Sequence, residues 1–172
     1  DNPLTLTITA NTAVTATFTA DSGPYTLNIS TVGNGTVAVE PEQATYADGE
    51  VVTLTATADT GWAFDSWSGD VSSTDNPLVL TITGDTNVTA IFVEETYTLT
   101  ITIEGRGTVT VEPDLETYTY GQEVTLTATP RRFWQFEGWS GDASGSDNPL
   151  TITITSDTAI TATFRQPWWS PF

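Results

Sequence analysis

The side chains that usually carry enzyme chemistry are missing from this chain. It has no histidine and no cysteine, and its basic residues are four arginines with no lysine. Bases and nucleophiles are therefore limited to carboxylates and hydroxyls. A pair of carboxylates is enough for a glycosidase, and the chain has 22 acidic residues. Those acids, however, fall in turns and at outward strand positions, with no sign of a cleft between them. The expectation is a protein that is not an enzyme and binds no cofactor. The absence of lysine also removes any Lys–Asn or Lys–Asp isopeptide crosslink.

Metal binding is the next chemistry to weigh. Asp70 and Asp75, with Asn76, bracket a short loop, and Asp142, Asp147 and Asn148 repeat it. Calcium takes about six to eight oxygen ligands, and loops of this kind can supply several. The spacing matches no EF-hand, lacking its central glycine and closing glutamate. Asp and Asn that bond their own turn backbone account for the same residues, and that is the reading favoured here. Asp70, Asp75, Asp142 and Asp147 stand only as weak calcium candidates.

The aromatics Trp62, Phe64 and Trp67, with Trp134, Phe136 and Trp139, could stack on a sugar or build a core. Large rings are the main source of apolar area in a small unit. Trp62, Phe64, Trp134 and Phe136 are expected in the core, while Trp67 and Trp139, beside a turn, stay open. Asn28, Asn34 and Asn87 each begin an Asn-x-Ser/Thr acceptor pattern for glycosylation. Their counterparts Thr100, Arg106 and Ala159 do not, so the fold does not require a glycan.

These residues are positioned by an internal repeat. Trp67-Ser68-Gly69-Asp70 and Asp75-Asn76-Pro77-Leu78 return as Trp139-Ser140-Gly141-Asp142 and Asp147-Asn148-Pro149-Leu150, an offset of 72 (139 − 67). Asp1-Asn2-Pro3-Leu4 opens a third copy of the second half. A fixed period with matching aromatic and turn positions marks repeated units. The reading is a half repeat with its linker over 1–22, full repeats over 23–94 and 95–166, and an aromatic tail over 167–172.

Within a repeat, apolar residues alternate with threonine at the strand period of two. Tyr25, Leu27 and Ile29 give a first strand, Gly33-Asn34-Gly35 a hairpin turn, and Val37 and Val39 a second strand. Val52, Leu54 and Ala56 give the third, and Trp62 and Phe64 the fourth. Trp67 breaks the alternation, which points to a bulge or a turn. Leu78, Leu80 and Ile82 give the fifth strand, and Val88, Ala90 and Phe92 the sixth. Leu4, Leu6 and Ile8, then Val14 and Phe18, copy the fifth and sixth as a hairpin of their own. No helical period is sustained anywhere. The expected fold is all-β: tandem small sandwich-like units of about six strands.

The ordered motifs resemble the divergent internalin-type B-repeat. They are Tyr-Thr-Leu-Thr-Ile, Gly-Thr-Val, a Tyr-x-x-Gly-x-x-Val-Thr-Leu-Thr-Ala block, Gly-Trp-Ser-Gly-Asp, Asn-Pro-Leu and a closing Thr-Ala-Thr-Phe. The resemblance covers nearly all of the chain outside the linkers and the tail. Ser66 departs from it where a glycine precedes the tryptophan, and Arg131-Arg132-Phe133 departs where an Asp-x-Gly turn precedes Trp134. The resemblance implies exported surface proteins, in which such repeats resemble stalk or spacer modules. It supplies no catalytic residues.

Charge narrows the partners. A net charge of −18 disfavours nucleic acid, whose binding needs clustered cations, and disfavours anionic membranes. No apolar run is long enough for insertion into a membrane. The chain opens mid-repeat without methionine, so a processed form or a fragment is expected, with an extracellular or cell-surface location. Three copies of the fifth and sixth strands against two of the first four leave one pair over. Exposed strands of that kind invite pairing. The assembly candidates are Leu4, Leu6, Ile8, Val14 and Phe18 at one end and Trp168, Trp169 and Phe172 at the other. Joined between copies, these ends would make a head-to-tail polymer, a filament or stalk. The competing reading is an adhesin or carbohydrate-binding module with glycans as partners.

Overall fold

The computed structural model describes residues 4–18 and 23–168. Among them there is no helix, and hence none long and apolar enough to cross a membrane. The first unit contains β1 (Leu27–Val32), β2 (Gly35–Glu40), β3 (Glu50–Ala58), β4 (Trp62–Gly69), β5 (Leu78–Ile82) and β6 (Thr86–Glu94). The second unit contains β7 (Thr96–Tyr97), β8 (Leu99–Glu104), β9 (Gly107–Glu112), β10 (Tyr118–Thr119), β11 (Glu123–Pro130), β12 (Gln135–Gly141), β13 (Leu150–Thr153) and β14 (Thr158–Arg165). The protein is all-β, as its alternating pattern predicts.

Each unit is built on two three-stranded sheets packed face to face, and the second adds a short antiparallel pair, β7 with β10. In the first, β1-β6-β4 faces β2-β3-β5; in the second, β8-β14-β12 faces β9-β11-β13. The central strands carry the most regular alternation. Val52, Leu54 and Ala56 of β3 and Val88, Ala90 and Phe92 of β6 are all buried, with threonines between them except for the half-buried Ile91. Burial of each large side chain contributes roughly 1.5–3 kcal/mol. β-branched threonine supports the pleat on the other face while tolerating water.

The pairing corrects the expected hairpins. β1 and β2 lie in different sheets, and so do β5 and β6. Gly33-Asn34-Gly35 therefore carries the chain across the sandwich instead of folding a strand back on its neighbour. Gly33 has φ of 81°, and a Cβ there would collide with the Phe92 carbonyl and lie 2.7 Å from the Trp62 ring. β1 instead runs parallel to β6, Leu27 beside Thr86, while β5 runs antiparallel to β3, Leu54 beside Leu78. Each fifth and sixth strand thus closes the unit that precedes it in the chain.

The half repeat differs from expectation for the same reason. Residues 4–18 form no strand and no hairpin. A fifth strand needs a third-strand partner, and a sixth needs first- and fourth-strand partners. Residues 4–18 contain only the pair that does not bond to itself.

The two aromatics that the sequence leaves open turn inward. Trp67 and Trp139 are only 1% and 4% exposed, deeper than Trp62, Phe64, Trp134 and Phe136, which are half-buried against the same cores. The ladder slips between Phe64 and Ser66, and again between Phe136 and Gly138. One extra residue changes the parity, so Phe64 and Trp67 meet on the inner face with ring centroids 5.1 Å apart.

Candidate functional site

The repeated loops hold most of the chain's singular polar residues, and their geometry is that of a clamp. The Trp67 indole donates to the Asp75 carbonyl at 2.8 Å, and Trp139 does the same to Asp147 at 2.8 Å. The Asn76 side chain then docks on the end of β3. Its Nδ2 donates to the Ala56 carbonyl at 2.8 Å, and its Oδ1 accepts from the Ala56 N–H at 2.9 Å. Asn148 repeats this on Ala128 at 2.7 and 2.9 Å. A side-chain amide mimics a strand there, satisfying backbone groups of β3 and β11 that lie beyond the first residues of β5 and β13.

Asp70 and Asp142 close the other end of each loop. Asp70 Oδ2 accepts from the Asn87 N–H at 2.7 Å, and Asp142 Oδ2 from the Ala159 N–H at 2.7 Å. The four calcium candidates therefore do not converge. Asp70 and Asp142 turn carboxylate oxygens to backbone donors, while Asp75 and Asp147 contribute main-chain carbonyls to tryptophan. No group of three or more potential metal-ligating side chains gathers among the described residues.

Asp85 and Asp157, which the sequence reading passes over, form a second pair of fasteners. Asp85 Oδ1 accepts from the Thr26 N–H at 2.8 Å and its hydroxyl at 2.9 Å, and Asp157 does the same with Thr98 at 2.8 and 2.9 Å. Both carboxyls are held below the ordinary aspartate range, chiefly by the backbone donor, then by the hydroxyl, against a small opposing cost of burial. The sequence signal was available: each aspartate immediately precedes its sixth strand, at the same place in both repeats.

Two of the glycosylation candidates already bond to each other. Asn28 Nδ2 donates to Asn87 Oδ1 at 3.1 Å across the parallel β1–β6 pair. Asn87 Nδ2 also donates to Asp70 Oδ2 at 3.1 Å. Asn34 sits on an exposed turn between the sheets.

The ends of the units form the remaining candidate surfaces. The units meet where Gly61, at φ of 81°, lies under Tyr120; a Cβ on Gly61 would come within 2.6 Å of the Tyr120 Cβ. The Glu95 N–H donates to the Gly61 carbonyl at 2.8 Å. Tyr97 lies beside this joint and donates its hydroxyl to Glu95 at 3.0 Å. Its pKa is raised, first by burial, then by that bond and by the negative charge around it. Each unit can thus be given a tail face, carrying Gly61 in the first unit, and a head face, carrying Tyr120 in the second.

The assembly candidates flank the two units in the sequence. Leu4, Leu6, Ile8, Val14 and Phe18 are 60%, 47%, 63%, 60% and 92% exposed. Trp168 is 93% exposed, while Trp169 and Phe172 lie outside the described residues.

No curated protein matches the chain. The model of the divergent InlB B-repeat domain matches it twice, over residues 25–96 and 97–167. Those spans contain both sandwiches with their tryptophan loops and asparagine clamps. The chain therefore belongs to the divergent InlB B-repeat family, a repeat of bacterial surface proteins.

Proposed function

We propose that this chain is a structural segment of an exported protein, a subunit of an extracellular filament or stalk that joins to copies of itself head to tail. The observation behind this reading is the exposed alternation of residues 4–18. Leu4, Leu6 and Ile8 repeat the positions of Leu150, Ile152 and Ile154, and Val14 and Phe18 those of Ile160 and Phe164. The latter are buried or half-buried in the second unit, whereas the former face water. Strand sequences with apolar faces and unpaired backbone groups add to the sheets of other chains. Each sandwich has edge strands to receive them, such as β8, β9, β12 and β13. The aromatic tail around Trp168 is the second proposed contact. No catalysis, cofactor, nucleic acid or membrane insertion enters this role.

Deleting residues 1–18, or replacing Trp168 and Trp169 with serine, is expected to leave folded monomers that no longer polymerise. Filaments indistinguishable from the parent's in both variants would overturn the reading.

A second reading, an adhesin or carbohydrate-binding module, draws on the exposed aromatics Phe133, at 63%, and Trp168. Exposed rings stack on sugar faces, whereas Trp67 and Trp139 are enclosed and offer no platform. Binding on a glycan array that is lost in Phe133→Ala and Trp168→Ser would favour it over assembly.

A further inference from the structure

All four of the chain's cations lie toward the tail face of the second unit. The Arg131 N–H donates to the Arg106 carbonyl at 3.0 Å. Arg132 and Arg106 share a recess of about 320 Å³ with Phe133 and Trp134, and Arg165 borders Trp134 from the end of β14. Among the described residues the single ion pair is Arg165 with Glu137. The matching positions in the first unit are Asn34, Asp59, Thr60 and Val93, none of them basic. In a chain of net charge −18, one face has therefore collected every positive charge.

The same face carries the structure's backbone outlier. Phe133 holds φ of 67°, the one positive φ at a non-glycine among the described residues. It stands where the first unit has Gly61. A bulky side chain in that conformation is strained and marks a place where its identity matters more than local ease. Arg132 lies over its ring, 4.6 Å from the centroid.

The joint between the two units shows what such a face receives. There Gly61 takes Tyr120, the small residue beneath the large one. On the head face of the first unit the exposed Asp48 stands in the place of Tyr120, so the sizes are exchanged: Phe133 is large and Asp48 small. The charges match as well. Asp48 and Asp85 are exposed on that head face, and Arg131 and Arg132 immediately precede Phe133.

We infer that the arginine-bearing tail face of the second unit docks on the acidic head face of the first unit in another copy of this chain, Phe133 meeting Asp48 as Gly61 meets Tyr120. This deepens the head-to-tail reading above and rests on it, but it uses a surface other than residues 4–18. A contact that reuses one geometry along the chain and between chains propagates as a filament.

Sedimentation of the full chain across a salt series tests it. Self-association should weaken as salt rises. Asp48→Arg alone, and Arg131→Glu with Arg132→Glu, should each weaken it by roughly tenfold or more, and the three together should recover most of the loss. Phe133→Gly should weaken association while leaving the fold intact, which guards against misfolded charge variants. Undiminished association in the charge variants, no recovery on combination, or a parent that stays monomeric would each overturn the inference. So would arginines that serve only to bind an anionic polysaccharide. Loss of assembly on deleting residues 1–18, with the charge variants unaffected, would keep the strand contact and reject this one.

Discussion

Residues 4–18 and 150–164 carry nearly the same message and meet different fates. Both read Leu-Thr-x-Thr-Ile-Thr, a turn, then an apolar residue followed by Thr-Ala-Thr-Phe. In the second unit this becomes β13 and β14, with Ile152, Ile154, Ile160, Ala162 and Phe164 all buried. Near the start of the chain it forms no strand, and Phe18 is 92% exposed. Composition and propensity do not separate the two stretches; partners do. β13 is held by β11, and β14 by β8 on one side and β12 on the other. Strand propensity here describes fitness for a place in a sheet, and residues 4–18 have no such place within the chain.

The comparison is most sharply tested at the closing phenylalanine. Phe164→Ala should cost about 3–5 kcal/mol in chemical denaturation, the range for emptying a buried aromatic site. Phe18→Ala should stay within about 0.5 kcal/mol in the dilute monomer, while impairing assembly. Similar losses for the two would mean that Phe18 is buried within the monomer.

Asn148→Ala should follow in size. It leaves the N–H and carbonyl of Ala128 without their partner, at a cost of about 1–3 kcal/mol for each group left buried and unsatisfied. A stability within 0.5 kcal/mol of the parent, roughly the level of a neutral surface change, would show that water replaces the clamp.

Phe133→Gly runs the other way. It removes side-chain strain at positive φ and should raise monomer stability by about 1 kcal/mol. A loss of stability would instead place Phe133 among the residues that hold the second unit together.

The smallest effect concerns Asp85 and Asp157. A carboxyl whose folded pKa lies below its unfolded one stabilises the fold at neutral pH, and that contribution is lost as pH falls through the folded value. The double change Asp85→Asn and Asp157→Asn keeps an acceptor at each site but removes the titration. Its melting temperature should lie slightly below the parent's at neutral pH, and the gap should close as pH drops below about 4. A constant gap across that range would mean that charge plays no part.

Much of this architecture was legible in the sequence, and the boundary is instructive. The alternation of β3 and β6 and their copies gave the inward faces directly, because the two-residue period is local. Pairing was not legible. Gly33-Asn34-Gly35 suits a hairpin and suits equally a passage from one sheet to the other, and only Phe92, far along the chain, decides between them. The depth of Trp67 was half legible: its broken parity announced the bulge, but the direction of the ring depended on where the extra residue fell. The clamps were visible as repeated Asn76 and Asn148, yet their target, the backbone of Ala56 and Ala128, is a tertiary fact. The arginine face needed three separate turns and strand ends brought together.

Hydrogen exchange read residue by residue tests the central claim most directly, in the dilute monomer and in the assembled material. The amides of 4–18 should exchange freely in the monomer while those of β13 and β14 are protected, and both sets should be protected after assembly. Protection of 4–18 already in the dilute monomer, or free exchange persisting in the assembled state, would contradict the claim that these residues await strand partners from another copy.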